Sequence, residues 1–412
     1  MNREIDIAIS RLPGLLLPWF AANARALPWR ENKDPYRVWL SEIMLQQTRV
    51  ETVIGYYTRF LAAFPTVFAL AEADEARVLK LWEGLGYYSR ARNLHRTARL
   101  IAEREGGLFP GEVTALRALP GVGAYTAGAV ASICFDVPVP AVDGNVLRLL
   151  ARITGSFDCV DETTVREGTA ERLAAVYPKG RCGDFTQSLM ELGATVCLPN
   201  GAPLCERCPA ADVCRALQNG WIGSLPVRKA KKKRAVRDLT YLILDCGGKT
   251  ALRRRTEKGV LRGMWEFPNV DGLLDESAAL RWLRACYASE TSGAPPVPPE
   301  SPVPSKSSES SVPHESADGE PDAPKTTLAH GLQPTFRVRN VRHGRHIFTH
   351  IEWRVLCYEI DCSAACAAFV WAGPDELLRD FALPAAFQKF RPARRDTQRK
   401  PDAPTRVPNI KK

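Results

Sequence analysis

The stretch LPGVGAYTAGAVASICFDVPVPAVDGN, Leu119–Asn145, decides the fold of this chain. It opens on a glycine-containing turn, Gly121–Gly123, and ends on Asp143 in a short turn before another apolar segment. A turn of this kind at a helix N-terminus presents main-chain N–H groups that suit a phosphate oxygen. Taken alone the pattern indicates only a turn, so a hairpin that binds phosphate beside a carboxylate needs support from elsewhere in the chain.

Length and charge narrow the class of protein. The chain has 412 residues, a net charge of +10 and a hydrophobic fraction of 45%, which together predict a globular protein of about two or three domains. A basic chain favours a polyanionic partner without identifying it. The longest charge-free run near the start, Leu12–Ala24, is too short to span a membrane and contains two prolines. Glu4 and Asp6 spoil the basic start of a secretory signal, so we expect no membrane partner.

Composition and periodicity divide the chain into segments. The first segment has apolar residues at near-helical spacing, for example in Pro35–Arg49, and is predicted to be helical. A later segment alternates at Leu239, Tyr241 and Ile243 and again over Ile351–Ile360, which predicts strands. The predicted organisation is a helical domain at 1–222, a basic linker at 223–237, a strand-containing domain at 238–388 with a disordered Pro/Ser/Glu-rich insertion at 289–324, and a basic tail at 389–412.

Four cysteines follow the helical pattern with the spacing Cys197-x7-Cys205-x2-Cys208-x5-Cys214. Four thiolates this close in a loop-rich stretch fit one cubane iron–sulfur cluster. Zinc is the competing ligand, because four cysteines also form a zinc site. Zinc ribbons usually show two Cys-x2-Cys knuckles and this chain has one, which favours the iron–sulfur cluster.

Glu42 lies in an otherwise apolar helical segment, Trp39–Thr48. The ordinary interpretation is an exposed helix glutamate. Shielding by Trp39, Ile43 and Met44 would instead raise the pKa of Glu42 and make it a general acid.

These stretches, together with LPWR at Leu27–Arg30, GLGYYSR at Gly84–Arg90 and the hairpin, closely resemble the MutY-type adenine DNA glycosylases. That family is a branch of the helix-hairpin-helix superfamily of endonuclease III. The resemblance is dense over about 15–222 and looser beyond. It implies an all-α glycosylase fold with a [4Fe–4S] cluster loop, followed by an α+β Nudix-like domain. Within the helical part it implies a six-helix module at about 27–140 and an iron–sulfur module formed by 1–26 plus 141–222.

The resemblance also assigns the cofactor and the catalytic groups. It implies that the four cysteines hold a [4Fe–4S] cluster, although the cluster-bearing branch usually has six residues in the first gap and this chain has seven. It implies that Glu42 starts protonated and donates to adenine N7, while Asp143 stays ionised and stabilises the sugar cation. Asn145 is expected to orient these groups. Tyr125 stands where bifunctional glycosylase/lyases carry a Schiff-base lysine, so we expect base removal with little strand cutting.

Contacts to DNA are implied in the same way. The residues and their expected roles are Gln47 and Tyr87 as wedges in the duplex, Thr48 and Leu85 as contacts to 8-oxoguanine, Arg30 and Gln187 beside the flipped adenine, and Gly121 and Gly123 on phosphate. Plain packing is the alternative for Leu85 and Tyr87, and an exposed helix glutamine is the alternative for Gln47.

The C-terminal segment resembles the lesion-recognition domain of the family. Trp265–Pro268 matches its LWEFP element, with Met264 in place of Leu, and Phe348–His350 matches its FSH loop, where Thr349 is expected to contact 8-oxoguanine. Neither Gly259 nor Gly263 is followed by the glutamate box that an active Nudix hydrolase needs for magnesium.

The sequence therefore predicts a monofunctional glycosylase that removes adenine opposite 8-oxoguanine or guanine in double-stranded DNA. We expect a monomer in the bacterial cytoplasm, associated with the nucleoid. Three rivals remain: a pyrimidine-damage glycosylase/lyase, a non-catalytic iron–sulfur protein that binds lesions or senses redox state, and a nucleotide hydrolase in the C-terminal domain.

Overall fold

The computed structural model describes residues 2–230, 233–257, 259–288 and 334–392. The chain forms two compact units, Met1–Lys232 and Lys233–Lys412. The predicted insertion at 289–324 and the tail from residue 393 onward lie outside the described residues. No helix in the described ranges is long and apolar enough to cross a membrane.

Helices build the first unit. They are α1 Asn2–Ser10, α2 Leu12–Asn23, α3 Pro35–Leu45, α4 Val50–Ala63, α5 Val67–Ala71, α6 Glu75–Leu81, α7 Ser89–Arg104, α8 Val113–Ala118, α9 Ala124–Phe135, α10 Gly144–Thr154, α11 Thr163–Ala174, α12 Cys182–Thr195 and α13 Arg215–Gln218, with 3-10 turns at Pro28–Arg30, Cys205–Arg207 and Ala211–Val213.

Helix α9, which begins directly after the hairpin, is the central element of this unit. It packs against α3 and α12, and every residue from Thr126 to Ile133 is buried. Its small residues follow from that packing: a Cβ on Gly128 would lie 2.4 Å from the carbonyl oxygen of Pro140. Helix α9 is therefore buried, and its small residues let the neighbouring backbone approach it closely.

The N-terminal helices pack against helices that lie far away in sequence. One hydrophobic cluster joins Ile9, Leu12 and Leu16 to residues of α10 and α12, such as Leu149 and Leu189. On that packing we propose the division of the first unit into a module at about 27–140 and a module of 1–26 plus 141–222.

Two predicted boundaries in the first unit were wrong. Helix α3 ends at Leu45 instead of Arg49, because the chain turns through Gln46 and Gln47. The predicted basic linker also starts too early. Arg228 pairs with Asp161 at 3.4 Å, and the carbonyl of Val227 accepts a hydrogen bond from the main chain of Val160, so residues up to this point pack on the helical unit.

The second unit is a mixed sheet with helices on both faces. Its elements are β1 Ala235–Cys246, β2 Lys249–Arg254, β3 Trp265–Glu266, β4 Asn269–Asp271, α14 Glu276–Ala288, β5 Phe336–Ile347, β6 Ile351–Cys362, β7 Val370–Ala372, α15 Pro374–Arg379 and α16 Ala385–Gln388. The strand order is β3-β2-β1-β6-β5, with β4 also paired to β1 and β7 to β2. Strands β1 and β6 are parallel, and the other pairs are antiparallel. The predicted class, a helical domain followed by an α+β domain, is confirmed.

Successive side chains of β1 point to opposite faces of the sheet and pack into two hydrophobic cores. Leu239, Tyr241 and Ile243 face one cluster with the C-terminal helices, whereas Leu242 and Leu244 face the cluster that contains α14. A strand covered on both faces reads as a nearly continuous apolar run.

Two predicted borders of this unit were wrong, and one of its strands was not predicted. Residues 235–237, predicted as linker, belong to β1. Strand β5 was not predicted, because its arginines and histidines give an exposed edge with little apolar alternation. The predicted tail began at Lys389, but Phe390 is buried in the core of the sheet.

Candidate active site

A cavity of about 380 Å³ lies among α3, α9, α10 and α12 of the helical unit. This volume is in the range of small-molecule sites. Of the residues predicted from the sequence, those that line it are Arg30, Glu42, Gln47, Thr48, Tyr125, Asp143, Asn145 and Gln187. Residues as far apart in sequence as Arg30 and Gln187, 157 positions, thus line one cavity. Four further predicted residues do not line it: Leu85, Tyr87, Gly121 and Gly123.

Glu42 is buried on α3, so the alternative of an exposed helix glutamate is wrong. Burial raises the pKa of Glu42 to about 7. The negative charge of Asp143 contributes to this rise, while the hydrogen bond from Tyr125 and the charge of Arg30 oppose it. A carboxyl with this pKa is poised to give up a proton near neutral pH.

Tyr125 directly contacts that carboxyl. Its hydroxyl donates a hydrogen bond to Oε2 of Glu42 at 2.7 Å. Burial, and next the charge of Glu42, raise the pKa of Tyr125 well above its usual value, so the phenol remains a donor. The bond leaves Oε1 of Glu42 as the position for a transferable proton.

Asp143 is the N-cap of α10 and has a different environment. Its Oδ1 accepts hydrogen bonds from the main-chain N–H groups of Asn145 and Val146 at 2.9 and 2.8 Å, and its Oδ2 accepts one from Asn145 Nδ2 at 2.8 Å. Burial raises the pKa of Asp143, and these donors together with the charge of Arg148 oppose the rise. The helix N-terminus also favours a carboxylate at this position.

Arg148, which the sequence analysis missed, links Asp143 to the cysteine loop. Its Nη2 donates to Asn145 Oδ1 at 3.0 Å and to Gly193 O at 2.7 Å. Its Nε donates to the carbonyl of Cys197 at 2.9 Å. The spacing Asn145–Arg148 is one helical turn, a signal that could have identified this contact.

Arg25 and Glu191 were also missed, and both line the cavity. Glu191 is fully buried and accepts from Arg25 Nε at 2.6 Å, Arg25 Nη2 at 2.9 Å and Arg30 Nη2 at 2.8 Å. Burial acts to raise the pKa of Glu191, but the two arginines outweigh it and lower the pKa. A lone glutamate in the apolar segment of α12 was the available signal, the same one that singled out Glu42.

The hairpin between α8 and α9 has the expected turn. Gly121 has φ +77, and a Cβ there would lie 2.8 Å from the Cβ of Asn93. Thr97 of α7 supports the turn by donating a hydrogen bond to Pro120 O at 2.9 Å. Gly123 has an ordinary φ of −86, and a Cβ would meet nothing within 4 Å, so the steric need for glycine holds only at Gly121.

Two loops beside the cavity carry the predicted wedge residues. Gln47 and Tyr87 are exposed and have positive φ values of 58 and 47. Gln47 follows the end of α3, so it is not an exposed helix residue. The side chain of Leu85 is buried, as the packing alternative expects, whereas Thr48 is half-buried.

The four predicted metal ligands line one small cavity near α10. Arg152 Nη1 lies 3.3 Å from Cys197 Sγ, a contact that suits a thiolate. Burial raises the pKa of Cys208 to about 11, so binding a metal here must displace a proton. In the ranges that the structure describes, no group of three or more His, Cys, Asp or Glu side chains is placed to hold a single metal ion.

The predicted 8-oxoguanine loop of the second unit forms the tip of the β5–β6 hairpin. Thr349 is exposed there, and the ring of Phe348 lies 4.8 Å from that of Trp353. In the WEFP element, Glu266 is fully buried and accepts hydrogen bonds from Arg253 and Arg255 at 2.9 and 2.8 Å, so this glutamate is structural.

The buried acid Glu42, the hairpin Gly121–Gly123 and the capped carboxylate Asp143 all lie within residues 40–174. Residues 40–174 match the family model described as "HhH-GPD superfamily base excision DNA repair protein".

Relatives that match about two thirds of the chain narrow this class. The chain is 39% identical over 304 residues to "Adenine DNA glycosylase" of Arabidopsis thaliana, a match that covers 64% of this chain and 48% of that protein. It is 35% identical over 272 residues to "Adenine DNA glycosylase" of Buchnera aphidicola subsp. Schizaphis graminum, covering 66% of this chain and 77% of that one. The chain belongs to the adenine DNA glycosylase family. It spans about half the length of the Arabidopsis relative and 59% of the mouse one.

Solved structures similar to this chain include one titled "Structure of a thermostable thymine-DNA glycosylase", with a TM-score of 0.47 and 27% identity, covering 53% of this chain and 98% of that chain. A non-covalent endonuclease III–DNA complex has a TM-score of 0.45 and 21% identity, with the same two coverages.

Proposed function

We propose that this protein is a monofunctional DNA glycosylase that removes adenine mispaired with 8-oxoguanine or guanine in duplex DNA. The observation that carries the proposal is the pairing of Glu42 and Asp143 in one cavity with different environments. Two carboxyl groups kept in different protonation states are what an acid-assisted cleavage of a glycosidic bond requires.

The target adenine must first leave the base stack, because its glycosidic bond is hidden in the duplex. In the cavity, Glu42 donates its proton to N7 and makes adenine a better leaving group. Asp143 remains a carboxylate and stabilises the positive charge that develops on the sugar. Water then completes the hydrolysis, with the conjugate base of Glu42 as the group that accepts its proton.

The Arg25–Glu191–Arg30 cluster supplies further recognition of the base. Its guanidinium and carboxylate groups are hydrogen-bonded in fixed positions on the wall of the cavity. Such a wall offers donors and an acceptor to the polar edge of a purine, and Gln187 adds an amide that can do both.

Tyr125 sets the type of reaction. A phenol cannot form a Schiff base with the sugar, and here it is engaged with Glu42 at 2.7 Å. The product is therefore an abasic site in an intact strand. This feature argues against the glycosylase/lyase alternative.

Other elements would bind the DNA backbone and contact the lesion. The main-chain N–H groups around Gly121 and Gly123 would hold a backbone phosphate, Gln47 and Tyr87 would enter the duplex, and Thr349 would contact 8-oxoguanine through its hydroxyl. The exposure of Gln47, Tyr87 and Thr349 supports these roles.

The four cysteines would hold a [4Fe–4S] cluster. The donor set fits, because four thiols line one cavity and a guanidinium lies against one of them. When bound, the cluster supplies a covalent cross-link of the loop that contains Cys205 and Cys208. Anaerobically purified protein should contain iron and acid-labile sulfide. Zinc alone would contradict the assignment.

Three duplexes test the activity, one with an A:8-oxoguanine pair, one with an A:G pair and one with thymine glycol. We expect adenine loss from the first two, with strand breakage only after alkali, and no reaction with thymine glycol. Breakage without alkali would favour the lyase, and binding without base loss would favour the non-catalytic lesion-binding protein.

A further inference from the structure

The two loops that carry Gln47 and Tyr87 are held in a conformation that side chains rarely adopt. Both residues have a left-handed backbone, with φ values of 58 and 47. Such a backbone persists only where surrounding contacts fix it, and it occurs often at functional sites. The contacts that fix both loops converge on one side chain, Arg90, at the start of α7.

Arg90 holds the first loop through the end of α3. Its Nη1 donates to the carbonyl oxygens of Ile43 at 2.8 Å, Met44 at 2.9 Å and Gln46 at 2.6 Å. The carbonyls of Ile43 and Met44 belong to the last turn of α3 and Gln46 is its C-cap, so they lie at the negative end of the helix dipole, which attracts a cation. The guanidinium thereby fixes the main chain immediately before Gln47.

The other arm of the guanidinium holds the second loop. Nη2 donates to the carbonyl oxygens of Leu85 at 3.0 Å and Gly86 at 3.2 Å, and to the hydroxyl of Thr48 at 3.3 Å. The guanidinium carbon, Cζ, of Arg90 also lies 5.6 Å from the ring centroid of Tyr87. One planar group therefore touches both loops and one of the wedges.

Arg90 is 8% exposed, so these contacts are made away from solvent. Burial lowers the pKa of Arg90 to about 10, which still leaves the side chain charged at neutral pH. The guanidinium carbon of Arg90 also lies 5.3 Å from the ring centroid of Trp82, which is fully buried. Trp82 Nε1 donates a hydrogen bond to Gly86 O at 3.1 Å. Lysine could supply the charge but not the planar fork that reaches both loops.

We propose that Arg90 is a positioning residue that fixes Gln47 and Tyr87 relative to each other. Arg90 thereby controls the rate at which the duplex is opened before adenine leaves the stack. The inference rests on the proposed function, since it presumes that duplex DNA meets these loops. Arg90 acts through the loops and does not touch the reacting atoms. We therefore expect its loss to slow opening, the step that precedes bond breaking by Glu42 and Asp143.

Stopped-flow fluorescence of 2-aminopurine, placed beside the target adenine in an A:8-oxoguanine duplex, reports the opening step. We expect Arg90→Lys to slow opening at least tenfold. Arg96→Lys is the matched control, because Arg96 is exposed on the same helix, and it should open DNA at the wild-type rate. Opening by Arg90→Lys at the control rate would overturn the proposal.

A double-mutant cycle separates positioning from general support of the fold. In a Gln47→Ala/Tyr87→Ala background the wedges are gone, so Arg90→Lys should change opening less than twofold. The same tenfold effect in that background would overturn the proposal.

A second variant guards against misfolding of Arg90→Lys. Trp82→Phe removes the hydrogen bond to Gly86 O and keeps the charge of Arg90. We expect it to slow opening several-fold, and a wild-type rate would contradict the inference. Wild-type protein that opens the duplex but fails to release adenine would instead contradict the proposed function.

Discussion

Replacing Glu42 with Gln should make the protein more stable above neutral pH while it removes activity. The reason is the cost of a buried charge. Burial raises the pKa of Glu42 in the folded protein from its ordinary 4.5 to about 7, so the folded state binds its proton more tightly than the unfolded chain does. A group with a raised pKa stabilises the fold fully below the unfolded pKa, and that contribution is lost as the pH rises through the folded pKa.

The magnitude follows from the size of the shift. Each pKa unit corresponds to about 1.4 kcal/mol, so ionised Glu42 costs the folded state roughly 3 kcal/mol above pH 7. Because the loss begins when the unfolded carboxyl ionises, the cost is already about 1 kcal/mol at pH 5.5. Gln keeps the shape and an acceptor for the Tyr125 hydroxyl but does not titrate. The stability gained by Glu42→Gln should therefore grow by about 2 kcal/mol between pH 5.5 and pH 8.5.

Urea unfolding of wild type and variant at the two pH values measures this difference. Unfolding is monitored by far-ultraviolet circular dichroism under anaerobic conditions. Glu103→Gln on the exposed face of α7 is the control, and its effect should be small at both pH values. An equal stability difference at pH 5.5 and pH 8.5 would contradict this prediction, because it would mean that the pKa of Glu42 is not raised in the folded protein.

Further predictions concern the reaction and the cysteine loop. In wild type, the single-turnover rate of adenine release should fall about tenfold per pH unit above pH 7, as Glu42 loses its proton. Tyr125→Lys should yield a covalent protein–DNA complex after borohydride reduction, and failure to trap one would place the sugar elsewhere. Arg148→Lys should lower the excision rate by roughly tenfold to a hundredfold while iron content stays constant, because lysine cannot bridge Asn145 and the loop. Cys208→Ala should lose iron, as measured by metal analysis.

The local pattern of the sequence predicted much of this molecule. The helix that follows the hairpin, the carboxylate before α10 and the change from helical to strand periodicity all depend on neighbouring residues, and local chemistry determines them. The helix end at Leu45 was missed because the Gln46–Thr48 turn is held by Arg90, which lies far away in sequence. Propensity cannot show a contact of that kind.

Within the site, the pattern singled out groups that stand alone in an apolar segment. Glu42 was found in this way, and Glu191 could have been. The partners of Glu191, Arg25 and Arg30, come from another part of the chain, so only folding brings this cluster together. Likewise, β5 was missed because an edge strand rich in arginine lacks the apolar alternation that identifies a buried strand.

We propose above all that Glu42 and Asp143 together break the bond between adenine and its sugar. Single-turnover release of adenine from an A:8-oxoguanine duplex tests it most directly, with Glu42→Gln and Asp143→Asn compared to wild type and with binding of the same duplex measured in parallel. We expect both variants to bind the duplex and to lose adenine release. Near-normal release of adenine by either variant would contradict this assignment.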